Sequence, residues 1–529
     1  MHAKAGQSYV TLVWTLAVLV PGASASGTEG PVWVAELSDA TTSQVETLEI
    51  WLPAGEYTTV GIYNTDTAKP QPPKGISADV TVVTYMRATG ISRPVSQRFE
   101  PLDERPSLQS LRTPNAGALD WRQKGDIAPL ALSPPKFHKP TGTFAVRLRA
   151  ESAGDYAVPI RCDRNTVTVT LHVTAPVPRA DMGFGFYADG FRYNYPEHER
   201  LYLQHMAEYG CNTIAAYGRP TLTGETGQTK ASGLARALDL GIEVGLIDKR
   251  FAVLCLDADD VGDNITDVKR YARHFEKYPE LVGYNYDEPR WKEPEEMLEW
   301  RKKVQTLSAL FHEKGFRSGT ALVQPGVFAL GDLLDIWIVG QWDYAPNNQV
   351  RSYARKLGAE VWVYDCYMDA FSAPAERYYT GLFSFRVRPG VNLKWTYMDI
   401  KESRIEPDGT WKLNPFRQHA VGSPDGPLAT VGLVGWREGI VDYRVLQELE
   451  RLIEADPKRH YRVAAKAAGW LQELLDSVPM SFRMYYALQK QPESGEYERC
   501  AEALNRTNFG RIRRQALEYI KQLSANPAS

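Results

Sequence analysis

Paired cysteines are missing from this sequence. Cys162, Cys211, Cys255, Cys366 and Cys500 are spread one at a time along 529 residues. An odd count without a C-x-x-C argues against a disulfide scaffold and against a cysteine-ligated zinc site. Core packing is the default role of each. No H-x-H or H-E-x-x-H occurs, and His205, His274 and His312 fall on predicted helices away from the strand ends. A catalytic metal is therefore not expected. Clustered Lys/Arg with interleaved aromatics is missing too, and a formal net charge of −3 with a pI near 6.4 gives no sign of a polyanion partner. No nucleic acid is expected. No Gly-rich phosphate fingerprint follows any predicted strand, which argues against an open nucleotide-binding sheet and for no cofactor.

A long hydrophobic run is missing as well. The apolar stretch from Tyr9 to Val20 is about 12 residues, short of the ~20 that a membrane span needs. It follows Lys4 and precedes Ala23-Ser-Ala25, a small-x-small cleavage pattern. Residues 1–25 read as a cleaved signal peptide. A secreted or periplasmic mature chain, soluble and without a membrane span, is expected from about Ser26. No cysteine follows the run to carry a lipid. The oligomeric state is not legible.

What is present is enough apolar and aromatic material, 43% and 11%, for sizeable cores. The length predicts two or three domains. Residues 28–175 read as β. Val45 to Leu52 and Phe144 to Arg149 alternate, Tyr57 to Tyr63 follows a Pro-Ala-Gly turn, Val80 to Tyr85 is β-branched, and Val167 to Val173 closes the set. Short strands between turn signals predict a β-sandwich. The Pro-, Ser- and Asp-rich stretch from Arg98 to Pro140 reads as a long loop, and Ala175-Pro-Val-Pro178 as a linker.

After the linker the rhythm changes to strand, helix, strand. Eight strands are predicted at Met182–Tyr187, Thr213–Tyr217, Ile242–Ile247, Leu281–Tyr286, Ser318–Val323, Ile336–Trp342, Val361–Tyr364 and Asn392–Tyr397. Helices are predicted between them, among them Pro196–Tyr209, Ser232–Leu240, Thr266–Tyr278 and Pro294–Lys314. This is the pattern of a (β/α)₈ TIM barrel over residues 180–445. Residues 446–529 read as a short C-terminal helical region with helices at Tyr461–Val478 and Tyr497–Ser524. It follows a helix at Val441–Ala455 that closes the barrel.

The chemistry is expected in Val282-Gly-Tyr-Asn-Tyr-Asp-Glu-Pro-Arg290. Pro289 cannot donate to a sheet ladder and stops the strand, so the strand ends on two adjacent carboxylates at the catalytic face of a barrel. Neighbours on a strand point to opposite faces. Asp287 and Glu288 can serve one site only because the strand ends there. Glycoside hydrolysis needs an acid beside the leaving oxygen and a second group at the anomeric carbon. That group can be the substrate's own 2-acetamido oxygen. Glu288 would then protonate the leaving group, and Asp287 would hold the acetamido N–H and stabilise the oxazolinium. Asp365, ending the seventh strand, offers an alternative as nucleophile in a two-carboxylate scheme on neutral sugars. It is otherwise a salt-bridge or capping residue. Asp189 and Asp248 are weaker candidates. Tyr187, Tyr217, Tyr286, Trp342, Tyr364, Asp365, Trp395 and Tyr397 are the predicted substrate-binding residues, since sugar C–H faces stack on aromatic rings. A non-catalytic carbohydrate-binding protein is the competing class.

A β-sandwich, a barrel whose fourth strand ends in Asp-Glu-Pro, and Trp436-Arg-Glu-Gly-Ile-Val-Asp-Tyr443 entering a helix together resemble glycoside hydrolase family 123 and the bacterial proteins related to it. The resemblance implies exo-acting β-N-acetylgalactosaminidase activity by substrate-assisted catalysis, with the family's pair at Asp287 and Glu288. It also implies a glycan substrate. The chain departs from the pattern upstream of Arg437. Where the family has a polar Ser-x-Arg-x-Glu run, this sequence has Thr430-Val-Gly-Leu-Val434. Arg437 and Glu438 are expected to fasten the last helix to the barrel.

Overall fold

The computed structural model describes residues 31–39, 45–88, 99–101, 127–133, 142–188, 194–216, 230–247, 250–254, 281–345, 347–366, 372–398, 404–412, 419–455, 461–482 and 495–525. Residues 1–25, read as a signal peptide, the helix expected at Thr266–Tyr278, and Asp189, Tyr217, Asp248, Cys255 and His274 lie outside them.

Two sheets form the N-terminal part. One takes Trp33–Glu36, Tyr57–Tyr63, Thr143–Ala150, Ile76–Ala88 and Phe99–Pro101 in that order, with Ile127–Ser133 also on Ile76–Ala88. The other takes Thr47–Pro53, Thr166–Thr174, Gly154–Cys162 and Ala68–Pro70. The alternation read in Thr166–Thr174 sends Val167, Val169, Leu171 and Val173 inward. They meet Val60, Ile62, Val146 and Leu148 of the first sheet in one buried cluster. Each such side chain stabilises the fold by about 1.5–3 kcal/mol relative to exposure. The stretch read as a long loop from Arg98 to Pro140 instead contains two paired strands, Phe99–Pro101 and Ile127–Ser133. Pro129 sits beside a register shift in that pairing, and prolines are tolerated at such irregularities. Gly154 starts a nine-residue strand, Gly154–Cys162.

The first sheet has a second buried face. Trp33, Ala35, Tyr63, Val83 and Ala145 join the large core cluster that contains Trp436 and the helices around the barrel. Strand Tyr57–Tyr63 is consequently buried at every position. From Val32 onward the chain is one compact unit.

Eight parallel strands then pair side by side in a closed ring: β1 (Gly183–Tyr187), β2 (Thr213–Ala216), β3 (Arg250–Leu254), β4 (Leu281–Asp287), β5 (Arg317–Leu322), β6 (Ile336–Gly340), β7 (Glu360–Asp365) and β8 (Val391–Lys394). Tyr187, Val282, Tyr284, Ile336, Ile338, Trp362, Tyr364 and Leu393 fill the interior. Trp337, Val339 and Val361, the alternate positions, face the helices outside. Among these are α1 (Glu199–Glu208), α2 (Lys230–Glu243) and α3 (Pro294–Glu313). Pro294 opens α3, and a capping box between Glu293 and Glu296 satisfies its first N–H groups.

Three strand assignments change. Ile242–Ile247 is not the third strand. Ile242 and Glu243 complete α2, and the chain leaves it through Gly245 (φ 76°) with Leu246 and Ile247 N–H groups on the carbonyl of Gly241. The strand is Arg250–Leu254. The alternation of Ile242-Glu-Val-Gly reads equally well as a helix end with its glycine stop. The sixth strand ends at Gly340, and Gln341–Tyr344 is a helical turn, so the backbone of Trp342 is helical. The eighth ends at Lys394, leaving Trp395 and Tyr397 beyond it.

After β8 come a small sheet of Arg404–Ile405, Trp411–Lys412, Ala420–Ser423 and Gly426–Ala429 and α4 (Val431–Ala455), buried along most of its length. Then come α5 (Tyr461–Ser477), α6 (Glu496–Arg506) and α7 (Phe509–Ser524). Tyr497–Ser524 is thus two helices, divided where Asn508 caps the N–H of Arg511 at 2.7 Å. Phe509, Ala516 and Leu517 belong to the same core as α4.

Buried ions fasten α4 on both sides. Arg437 and Arg444 both bind the carboxylate of Glu56, on the turn before strand Tyr57–Tyr63. Burial opposes the charge on Glu56, yet the two guanidiniums hold its carboxyl below the usual range. Arg513 of α7 binds Glu438 at 2.8 Å and Asp442 at 2.6 Å. Arg377 joins Asp442 (2.6 Å) to Glu36 of the first strand.

Candidate functional site

The strand β4 begins in regular alternation. Val282 and Tyr284 point into the barrel. Gly283 lies against Phe311 of α3, and Asn285 donates to Ser308 of α3 at 3.2 Å. The register against β5 then shifts between Tyr284 and Asp287. Two successive side chains, Asn285 and Tyr286, face α3; Tyr286 meets Trp300 edge-on, ring centroids 5.1 Å apart. The bulge brings Asp287 back to the side of Tyr284, whose phenol donates to Oδ1 of Asp287 at 3.0 Å. Glu288 follows in the left-handed region at φ 46°, unusual for a residue with a side chain, and donates its N–H to the carbonyl of Ala321 at 3.0 Å. Local strain of this kind gathers at working sites.

Tyr364, near the end of β7 and inside the barrel, donates to Oε1 of Glu288. Arg290 binds Oε2 at 2.6 Å. Burial, reinforced by neighbouring phenols and carboxylates, drives Tyr284 and Tyr364 far above the usual phenol range. Both remain neutral donors. Tyr187 lies 6.4 Å from Tyr284 and 5.4 Å from Trp395, ring centroid to centroid. Two adjacent carboxylates, each gripped by a phenol from the barrel interior, thus sit at the C-terminal ends of the strands with Tyr187 and half-buried Trp395 beside them.

Not every predicted residue is brought here. Asp365 is 2% exposed and turned outward, because Tyr364 before it points in. Its Oδ2 lies 3.1 Å from Gln341 Nε2 and 3.6 Å from Lys394 Nζ. Lys394 also meets Glu376 at 3.3 Å, and Glu376 meets His419 at 3.3 Å. Burial resists the charge on Glu376, but Lys394 and His419 hold its carboxyl below the usual range. Asp365 is therefore a buried ion-pair residue, neither facing the barrel interior nor placed as a nucleophile. Tyr397 is fully buried against α1, with His205 Nδ1 at 2.6 Å from its hydroxyl. Tyr286 packs on Trp300. These three leave the predicted substrate-binding set. Tyr217 and the Trp342 side chain lie outside the described parts.

Tyr284 and Arg290 were missed by sequence reasoning. Period two groups Tyr284 with Val282 on the inward face, but the bulge that brings Asp287 to that face has no signal in the sequence. Arg290 carries the first full positive charge after the acid. Among the described residues no group of His, Cys, Asp and Glu could hold a metal, and no helix is long and apolar enough to cross a membrane. Among the described residues no disulfide joins Cys162, Cys211, Cys366 or Cys500.

The fold class is a closed barrel of eight parallel strands whose C-terminal end carries two held carboxylates and aromatic rings. Neither a family model nor a curated protein matches the sequence. Among solved structures, the chain is similar to a family 123 glycoside hydrolase from Clostridium perfringens, a structure concerned with glycolipid glycan hydrolysis. The TM-score is 0.53 at 11% identity, covering 93% of this chain and 99% of that one. It is also similar to an FMN-binding β-glucuronidase from Facaelibacterium prausnitzii L2-6 (TM-score 0.31, 11% identity, 80% and 62% covered). A third is an endo-β-1,4-mannanase from Thermotoga petrophila (0.31, 10%, 50% and 76%). The first likeness is one of fold.

Proposed function

We propose that the chain is a secreted or periplasmic glycoside hydrolase acting on terminal β-linked 2-acetamido sugars of glycans by substrate-assisted, retaining catalysis. We read its architecture as a β-sandwich, a (β/α)₈ barrel and a C-terminal helical region, in the manner of family 123. The single observation that carries the reading is the paired grip at the strand end, Tyr284 on Asp287 and Tyr364 on Glu288.

In this reading Glu288 gives its proton to the glycosidic oxygen as the C1–O bond breaks and its electron pair passes to that oxygen. The acetamido oxygen closes on C1 to form the oxazolinium. Asp287 accepts the acetamido N–H and stabilises the positive charge that develops there. Water then opens the oxazolinium with Glu288 as base, restoring the starting protonation. Tyr187 and Trp395 offer ring faces to the sugar. No cofactor enters. The two-carboxylate alternative on neutral sugars is disfavoured by the outward turn of Asp365 onto Lys394.

A panel of aryl β-glycosides with and without a 2-acetamido group tests this. Turnover confined to the 2-acetamido members, inhibition by a thiazoline that mimics the oxazoline, and loss of rate by orders of magnitude in Asp287→Asn and Glu288→Gln are expected. Turnover of neutral-sugar glycosides with Asp365→Asn as the lethal change would overturn the mechanism. Sugar binding without turnover of any glycoside would leave a binding protein.

A further inference from the structure

We propose that Arg290 is an anion-binding residue on the leaving-group side, so that the preferred substrate carries a carboxylate or sulfate on the sugar attached to the leaving oxygen. This rests on Glu288 being the acid. Its two oxygens are held very differently. Oε1 is bound by Tyr364, which lies within the barrel and is 4% exposed. Oε2 is bound by Arg290, whose side chain is 73% exposed. The backbone carbonyl of Arg290 is pinned by the indole N–H of Trp300 at 3.1 Å, so the chain is fixed there while the guanidinium reaches back from solvent.

Oε1 accepts from a donor inside the barrel, so we place the proton for the leaving oxygen on Oε2. A guanidinium has five donors and no acceptor. It cannot receive a hydrogen bond from a protonated Oε2, and protonation removes the negative charge that makes the Arg290 bond a charge-assisted one. Arg290 therefore loses its counter-ion when the acid takes up its proton. The glycosidic oxygen then meets Oε2, which places the guanidinium beside the leaving residue. A guanidinium fork matches carboxylate and sulfate oxygens in pairs and prefers them to hydroxyls. An anionic group on that residue replaces the partner that Arg290 gives up.

The test uses the full chain and three β-linked 2-acetamido disaccharides. Their reducing residues are a neutral hexose, the matching uronic acid, and the 6-sulfated hexose. The wild type is expected to cleave an anionic member with kcat/KM about ten-fold or more above the neutral one, mostly through KM. The planar and tetrahedral arms separate a carboxylate source from a sulfate source. Raising the ionic strength shrinks the preference. Arg290→Gln loses at least ten-fold more on the anionic substrate than on the neutral one, and Arg290→Lys recovers part of the difference. Equal cleavage of all three by the wild type, or a preference that survives in Arg290→Gln, overturns the proposal while leaving the hydrolase reading intact. If a neutral 2-acetamido aryl glycoside is also untouched, the hydrolase reading falls, and this one with it.

Discussion

Tyr284 donates its phenol to Oδ1 of Asp287 at 3.0 Å although the two are three residues apart on one strand. In a regular strand they would face opposite sides. The register shift between them makes the contact possible. Tyr284→Phe keeps the ring and removes the bond. Its expected effect is a fall in kcat of about 10–100-fold, the worth of one hydrogen bond to a charged group, with KM nearly constant. A variant with wild-type kcat would deny Tyr284 its positioning role. Thermal melting alongside the kinetics separates this from misfolding.

Asp365 and Lys394 face away from the barrel interior. Asp365→Asn removes a charge from a buried pair and is expected to cost stability on the order of 3 kcal/mol. Activity per folded molecule should stay within a few-fold of wild type. Denaturant unfolding and active-site-normalised rates read the two effects separately.

Glu56 joins the N-terminal sheets to α4 through Arg437 and Arg444. Arg437→Met strips one partner from a buried carboxylate and is expected to destabilise by about 3–5 kcal/mol. The folded carboxyl lies below its ordinary value. Its contribution is therefore complete above the ordinary carboxylate range and is lost as pH falls through the lowered folded value. Glu56→Gln, less stable at neutral pH, should lose less further stability on acidification than the wild type. Parallel melting curves across pH would refute the linkage.

His205 is held neutral by burial, with Arg147 adding to the effect, and its imidazole is pushed down to about 3. The unfolded imidazole protonates near 6.5. Stability should therefore drop as pH falls from about 6.5 towards 3, where the unfolded chain binds a proton that the folded chain refuses. His205→Gln retains an acceptor for Tyr397 and removes the titration. The difference between the two proteins, followed by chemical denaturation from pH 7 to 4, should narrow or reverse on acidification. A constant difference would show that His205 is protonated in the folded state.

Much of the barrel was legible because parallel strands buried on both faces read as short apolar runs between turn signals. The carboxylate pair was legible because Pro289 ends such a run. What failed did so for local reasons. Ile242–Ile247 alternates over too few residues to separate a strand from a helix end. Tyr397 and Asp365 were placed at the rim by their position at strand ends, but position along a strand does not say which side a side chain takes. The neighbour decides: with Tyr364 turned inward, Asp365 had to turn out.

The sequence by itself determined that a strand stops on Asp287 and Glu288, because proline lacks the donor that would continue it. It also determined that strands such as Thr166–Thr174 carry one apolar face, through their period of two. Only the tertiary structure decided which groups hold those carboxylates. Tyr284 and Tyr364 come from strands three apart in the ring, and Tyr284 reaches Asp287 only through a bulge that no local pattern announces. It likewise decided that Arg437 serves Glu56, 381 residues away in the chain. Contacts between distant segments depend on how whole layers pack, and no window of sequence contains them.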